Sequence, residues 1–211
     1  MKVKNKNFST LWVENEIVKI IDQTMLPFKF VTKELKTLND FCRAIKNMEV
    51  RGAPLIGVTA AFGFAISLRN DPSNKNIKFS YERLLETRPT AINLKWALSF
   101  ITEKIKKIKH SNRAEKSFEL AKKMREEDII NCFKIGINGY KIIESFFKQK
   151  KRTINILTHC NAGWLATIDW GTALAPIFLA NRNGIPVHIW VDETRPRNQG
   201  ALLTAWELNN E

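Results

Sequence analysis

The sequence predicts an α/β protein: an N-terminal β-hairpin and a mainly helical domain, followed by an incomplete parallel-sheet domain. Three observations carry this. Two short apolar runs, Leu11–Val13 and Glu16–Ile21, flank Glu14-Asn15 as hairpin strands flank a turn. Apolar residues then recur at three- and four-residue spacing through long stretches between Leu38 and Phe147. Finally, two buried-strand runs, Ile154–Thr158 and Val187–Val191, bracket a helical segment, the pattern of a βαβ unit.

Along the chain, Thr37 or Asn39 caps a helix whose Leu38, Phe41, Ile45 and Met48 face inward. Val50-Arg51-Gly52-Ala53-Pro54 ends it, and Pro54 suits the first turn of the next helix, Leu55–Leu68, which is apolar on most faces and therefore buried. The apolar run Ala53–Leu68 is too short, and too interrupted by Pro54, Gly57 and Gly63, to span a membrane. Asn70–Asn76 reads as a loop, Tyr81–Glu86 as a short helix, and Thr87-Arg88-Pro89-Thr90 as a turn. A long amphipathic helix follows through Leu94, Leu98, Ile101, Ile105 and Ile108, then helices over Ala114–Phe133 and Ile135–Phe147. Lys148–Arg152 marks a change of pattern, which sets the domains at 1–150 and 151–211. In the second, a helix within Trp164–Asn181 ends at Gly184, and another begins at Gly200–Leu208.

Composition narrows the classes. With 44% hydrophobic and 10% aromatic residues the chain builds a core. Met1–Asn7 precede no apolar signal segment, and the three cysteines (Cys42, Cys132, Cys160) form neither a disulfide framework nor a zinc pattern, so a cytoplasmic protein is expected. The net charge of +13 raises nucleic-acid binding. Much of the lysine falls on solvated helix faces such as Glu103–Lys109, and no recognition motif accompanies it, so no nucleic-acid partner is expected.

The residues that carry chemistry cluster at turns. Cys160 follows the first strand of the βαβ unit, where turn amides converge on the carboxyl-end crevice. It is either a packed strand-end residue or a reactive thiol. In an extended strand His159 points to the opposite face, so the two do not pair. Arg51-Gly52-Ala53 joins a guanidinium to a helix start, and Arg88 sits on a second rigid turn; both suit a phosphate, or a solvated arginine. Asp192 and Glu193 end the second strand as acid, base or hydroxyl ligand, or as ion-pair partners of Arg195 and Arg197. Gln199 suits sugar hydroxyls.

Taken in order, Ile21-Asp22-Gln23, Met48–Pro54, Thr87–Leu94, Thr158–Gly163 and Asp192–Leu208 resemble the methylthioribose-1-phosphate isomerase family, related to the regulatory subunits of translation initiation factor 2B. The resemblance runs from Leu11 to Leu208. It implies an N-terminal β-hairpin and helical region joined to a Rossmann-like domain, usually a homodimer, acting on a small sugar phosphate with no metal, no cofactor and no membrane. It implies that Cys160 is the catalytic cysteine, that Arg51, Gly52, Ala53 and Arg88 hold the phosphate, and that Gln199 holds the sugar. Family members continue for more than a hundred residues and there carry an aspartate acid, so the expectation is a truncated chain with part of a site, marginally stable alone. The competing expectation is a regulatory module of the same family that binds sugar phosphate or nucleotide without turning it over.

Overall fold

The computed structural model describes Met1–Glu211. It has seven strands and seven α-helices, and its contacts fall into two compact units. One holds Leu11–Met25 and Phe30–Glu127; the other holds Met1–Thr10, Leu26–Lys29 and Asp128–Glu211. Residues 128–150, placed with the N-terminal domain by sequence, group with the second unit.

In the helical unit, β3 (Leu11–Glu14) and β4 (Ile17–Ile21) form the expected hairpin, with Leu11 opposite Ile20 and Glu14 opposite Ile17. Asn15 and Glu16 both have positive φ, the geometry of a primed two-residue turn that follows strand twist. A third strand, β5 (Thr32–Leu35), adds antiparallel to β4. It carries no apolar alternation, since only Leu35 of its four residues is buried, and backbone pairing holds it as a charged edge.

Helix α1 (Leu38–Lys46) opens on a capping box: the Asp40 amide donates to the Thr37 hydroxyl and Asp40 accepts from the Thr37 amide. Helix α2 (Ala53–Asn70) begins two residues before the expected Leu55 and is buried from Leu55 to Leu68. Its length and apolarity match a membrane span, but it is buried as the core helix of this unit. Helices α1, α3 (Asn74–Leu85) and α4 (Ile92–Ile105) pack around it. Gly63 lets Phe41 approach: a Cβ there would stand 2.7 Å from that of Phe41. Helix α3 is longer than the expected Tyr81–Glu86, because Ser73 accepts from the Asn76 amide and caps a start inside the expected loop.

The second unit is built on β6 (Ile154–His159) and β7 (Val187–Asp192), parallel and in register from Ile154–Val187 to His159–Asp192. Helix α5 runs unbroken from Arg113 to Lys150, where two helices were expected. Its C-terminal part lays Tyr140, Ile143 and Phe147 on Ile154, Ile156 and Val187. The opposite sheet face is open, with Leu157 at 66% and Trp190 at 59% exposure. The expected crossover helix is two pieces, a 3-10 turn at Trp164–Ala166 and α6 (Ala175–Arg182), ended by Gly184 at φ +77. The last helix starts as a π-helical turn, Gly200–Thr204, and continues as α7 (Ala205–Asn210). At the N-terminus β1 (Lys2–Val3) and β2 (Lys6–Asn7) form a small ribbon the sequence did not suggest.

Candidate functional site

The strand carrying the cysteine ends at His159, one residue later than expected. Cys160 leaves the extended conformation altogether, with φ +58. This replaces the picture of His159 and Cys160 alternating along one strand. His159 stays on the open sheet face, its Nδ1 3.9 Å from Asp192, while Cys160 turns away at the carboxyl end. A non-glycine residue in this region costs free energy and is held there by its surroundings.

Those surroundings come from the chain after β7. The Cys160 amide donates to the Asp192 carbonyl at 3.0 Å, continuing the β6–β7 ladder by one bond. The Thr194 hydroxyl donates to the Cys160 sulfur at 3.0 Å, and the thiol lies 3.7 Å from the Gln199 side-chain oxygen, to which it donates. The Thr204 hydroxyl donates to the Cys160 carbonyl. The thiol is therefore a half-exposed group with one donor and one acceptor fixed on either side.

Glu193 shapes the loop that brings these residues in. Its carboxylate accepts from the amides of Thr194 (2.8 Å), Gly200 (2.7 Å) and Ala201 (2.9 Å), closing Glu193–Ala201 into a ring. The Ala201 amide, with those of Thr194 and Gly200, holds the Glu193 carboxyl below its ordinary range. Of the two readings for this acid, the structure gives loop closure, with neither Arg195 nor Arg197 as its partner in a described ion pair.

The other two cysteines differ in kind. Cys42 is buried against the Arg83 carbonyl, and burial raises its thiol pKa. Burial, then the neighbouring Asp128, pushes the Cys132 thiol up to about 12. Both are packing residues, as their apolar settings suggested, and both are inert as thiolates at neutral pH.

The arginine turns lie in the helical unit. Asn47–Gly52 joins α1 to α2 through Met48 at φ +61 and Gly52 at φ +98. Glu49, buried in this turn, accepts from Lys33 at 3.0 Å and lies 3.7 Å from Arg43. Its backbone carbonyl accepts from the Gln23 amide at 3.0 Å. Gly52 then serves as N-cap, so Arg51, Gly52 and Ala53 line the start of α2, where amides face outward. Arg88 projects from the turn before α4, and its Nη1 is buried without a hydrogen-bond partner. A buried guanidinium nitrogen with no protein acceptor can donate to an anion. Cys160 and Gln199 thus belong to one unit, and Arg51, Gly52, Ala53 and Arg88 to the other. No three His, Cys, Asp or Glu side chains gather as a metal-binding set.

Thr194, Thr204, Asn161 and Glu207 escaped the sequence reading. Thr194, Thr204 and Glu207 reach Cys160 or its turn across 34 to 46 residues of chain, and Asn161, within the turn, donates to the last two. The available signal was the position of Thr194 in the loop after the second strand, opposite the cysteine turn.

Comparison with known proteins shows the family. The model of the initiation factor 2 subunit family matches residues 49–211. A methylthioribose-1-phosphate isomerase of Sinorhizobium medicae is 52% identical over 213 residues, covering 99% of this chain and 58% of the relative. One of Escherichia coli is 50% identical over 214 residues, covering 100% of this chain and 57% of the relative. Among solved structures, the 5-methylthioribose 1-phosphate isomerase of Pyrococcus horikoshii superposes with a TM-score of 0.86 at 34% identity, covering 97% of this chain and 58% of that one. The translation initiation factor eIF-2B delta subunit of A. fulgidus gives 0.82 at 32%, covering 96% and 59%. The chain therefore spans less than two thirds of the length of these relatives.

Proposed function

This chain belongs to the initiation factor 2 subunit family, and on that premise we propose that it carries the cysteine half of a sugar-phosphate isomerase site. The reaction is conversion of 5-methylthioribose 1-phosphate to 5-methylthioribulose 1-phosphate, a step of methionine salvage in the cytoplasm. The observation that carries the proposal is the thiol of Cys160, turned out of its strand between the Thr194 hydroxyl and the Gln199 side chain. Relatives about half identical over the whole chain bear this activity in their names.

The substrate's chemistry accounts for the site. Phosphate on the anomeric oxygen leaves no free aldehyde for ordinary aldose–ketose exchange. The bond between C1 and the ring oxygen must break, with a proton delivered to that oxygen. Hydrogen then moves from C2 to C1, and the C2 hydroxyl loses its proton to become the ketone, so atoms and electrons are conserved. Whether hydrogen moves as hydride or through an enediol, a positioned proton carrier beside C1 and C2 lowers the barrier. Cys160 takes that role, and Gln199 orients the sugar hydroxyls. Arg51, the Gly52–Ala53 amides and Arg88 hold the phosphate; the unpaired Nη1 of Arg88 supports this assignment.

A second reading has its own support in the match to the eIF-2B delta subunit: a module that binds phosphorylated ligand without turnover. Phosphorus NMR separates the two, because the carbon that carries the phosphate changes from an anomeric to a primary one. Ketose phosphate formed by the chain, and abolished by Cys160→Ala, is the outcome expected of an isomerase. Saturable binding with no product from the chain, alone or supplemented with the C-terminal part of a relative, would establish the binding module instead.

A further inference from the structure

Glu207, on α7, is fully buried at 0% exposure. Its Oε2 accepts from the Trp164 amide at 2.7 Å, and its Oε1 accepts from the Asn161 side chain at 2.7 Å and the Leu165 amide at 3.3 Å. These donors lie just downstream of Cys160. Asn161 also donates to the Thr204 hydroxyl at 3.1 Å, and that hydroxyl donates to the Cys160 carbonyl. The turn is built around the carboxylate: a Cβ at Gly163 would stand 1.9 Å from Glu207 Oε2.

Fold stability alone does not call for such a group, because a buried carboxylate loses its hydration and an apolar side chain of similar volume fills space without that cost. What the carboxylate adds is direction. It fixes a polar turn whose first residue holds an unfavourable left-handed backbone.

We propose that Glu207 is the positioning residue of the cysteine turn: it holds Cys160 in the conformation that sets the thiol between Thr194 and Gln199. The proposal rests on the reading of Cys160 as the reacting thiol. Glu207 touches no reacting atom; it acts through Asn161, Thr204 and the amides that define the turn.

The test uses the whole chain and iodoacetamide, with each cysteine followed by peptide mass spectrometry. Cys42 and Cys132 serve as internal reporters of packing, since both are buried. In the unaltered chain Cys160 reacts faster than glutathione. Glu207→Gln slows it about tenfold at neutral pH, the size expected for one lost hydrogen bond to the sulfur, while Cys42 and Cys132 stay unlabelled. Thr194→Val slows it equally, and the double variant is no slower than either single one, since both break the same contact. Thr204→Val, which keeps the buried carboxylate, also slows Cys160, and Thr204→Ser restores it.

An unchanged Cys160 rate in both Glu207→Gln and Thr204→Val overturns the proposal. So does slowing in Glu207→Gln that comes only with labelling of Cys42 and Cys132, if Thr204→Val is unaffected; that pattern marks a packing residue. Reaction of Cys160 no faster than glutathione in the unaltered chain defeats the reading of Cys160, and this proposal with it.

Discussion

Two of the turns that carry proposed site residues hold a non-glycine residue in the left-handed region, and both of these are organised around a buried glutamate. In one, Met48 has φ +61 and Glu49 is anchored by Lys33 and Arg43; in the other, Cys160 has φ +58 and the turn is tied to Glu207. Strain held by buried polar contacts is a way of fixing a side chain to a fraction of an ångström. Two outcomes follow. Gly163→Ala pushes a methyl into the Glu207 carboxylate and costs about 2 to 4 kcal/mol, by overpacking and by loss of paired amides, read as a lowered midpoint in urea unfolding. Arg88→Ala weakens binding of the aldose phosphate about tenfold to a hundredfold in calorimetry, the range for a charge-assisted contact to an anion. Cys160, Arg88, Arg51 and Gln199 were legible as candidates because each sits at a turn next to a strand end or helix start. Glu207 was not. Within Ala205–Asn210 it reads as one more charged helix residue, and its burial is decided by a turn more than forty positions earlier.

Helices were legible where periodicity and caps agreed, and less so where tertiary contact set the boundaries. Thr37, one of the two caps the sequence offered for α1, is the clear case: it closes a capping box with Asp40, and Thr37→Ala costs about 1 kcal/mol in thermal or urea unfolding. Helix α5 is the opposite case. Two helices were expected, Ala114–Phe133 and Ile135–Phe147, yet the helix continues through Lys134, and its Gly136 and Gly139 are where α6 packs closely: a Cβ at Gly139 would stand 2.4 Å from Pro176 Cγ. Those glycines serve an interface rather than a break. Strand β5 was illegible for a third reason, since an edge held by backbone pairing shows no alternation. At the same scale, the Glu193 ring is sensitive to acid. A carboxyl with a lowered folded pKa contributes order above its unfolded value, and that order is lost as pH falls through the folded value. The Thr194 contact to Cys160 is therefore present at neutral pH and lost only in acid.

For the whole molecule, the division into a helical part and a parallel-sheet part was visible in the change of pattern near Lys148–Arg152, whereas the contacts gather 128–150 with the sheet. The helical unit holds Asp22 buried against Lys33 at 2.8 Å. Burial pushes the Asp22 carboxyl up, but Lys33 and Thr24 together outweigh it and hold the group below its ordinary 3.8. Its contribution is therefore complete above that value and disappears as pH falls through the lowered one. The melting temperature should fall as pH drops below about 4, less steeply in Lys33→Met, which removes this partner. The sheet leaves Leu157 and Trp190 exposed on one face and an unpaired backbone edge on each strand. Concentration-dependent association in light scattering, reduced by Trp190→Lys, is the expected consequence. A defined dimer in the same measurement would support the homodimer that the family resemblance implies.

The central claim is that Cys160 belongs to a sugar-phosphate site, and substrate protection tests it without requiring turnover. Cys160 is alkylated by iodoacetamide over a range of 5-methylthioribose 1-phosphate concentrations, with inorganic phosphate at equal ionic strength as control. The account predicts that the rate at Cys160 falls saturably with the sugar phosphate, to a small fraction of its starting value. A Cys160 rate that stays constant across the series, with the sugar phosphate shown by calorimetry to be bound, would contradict it.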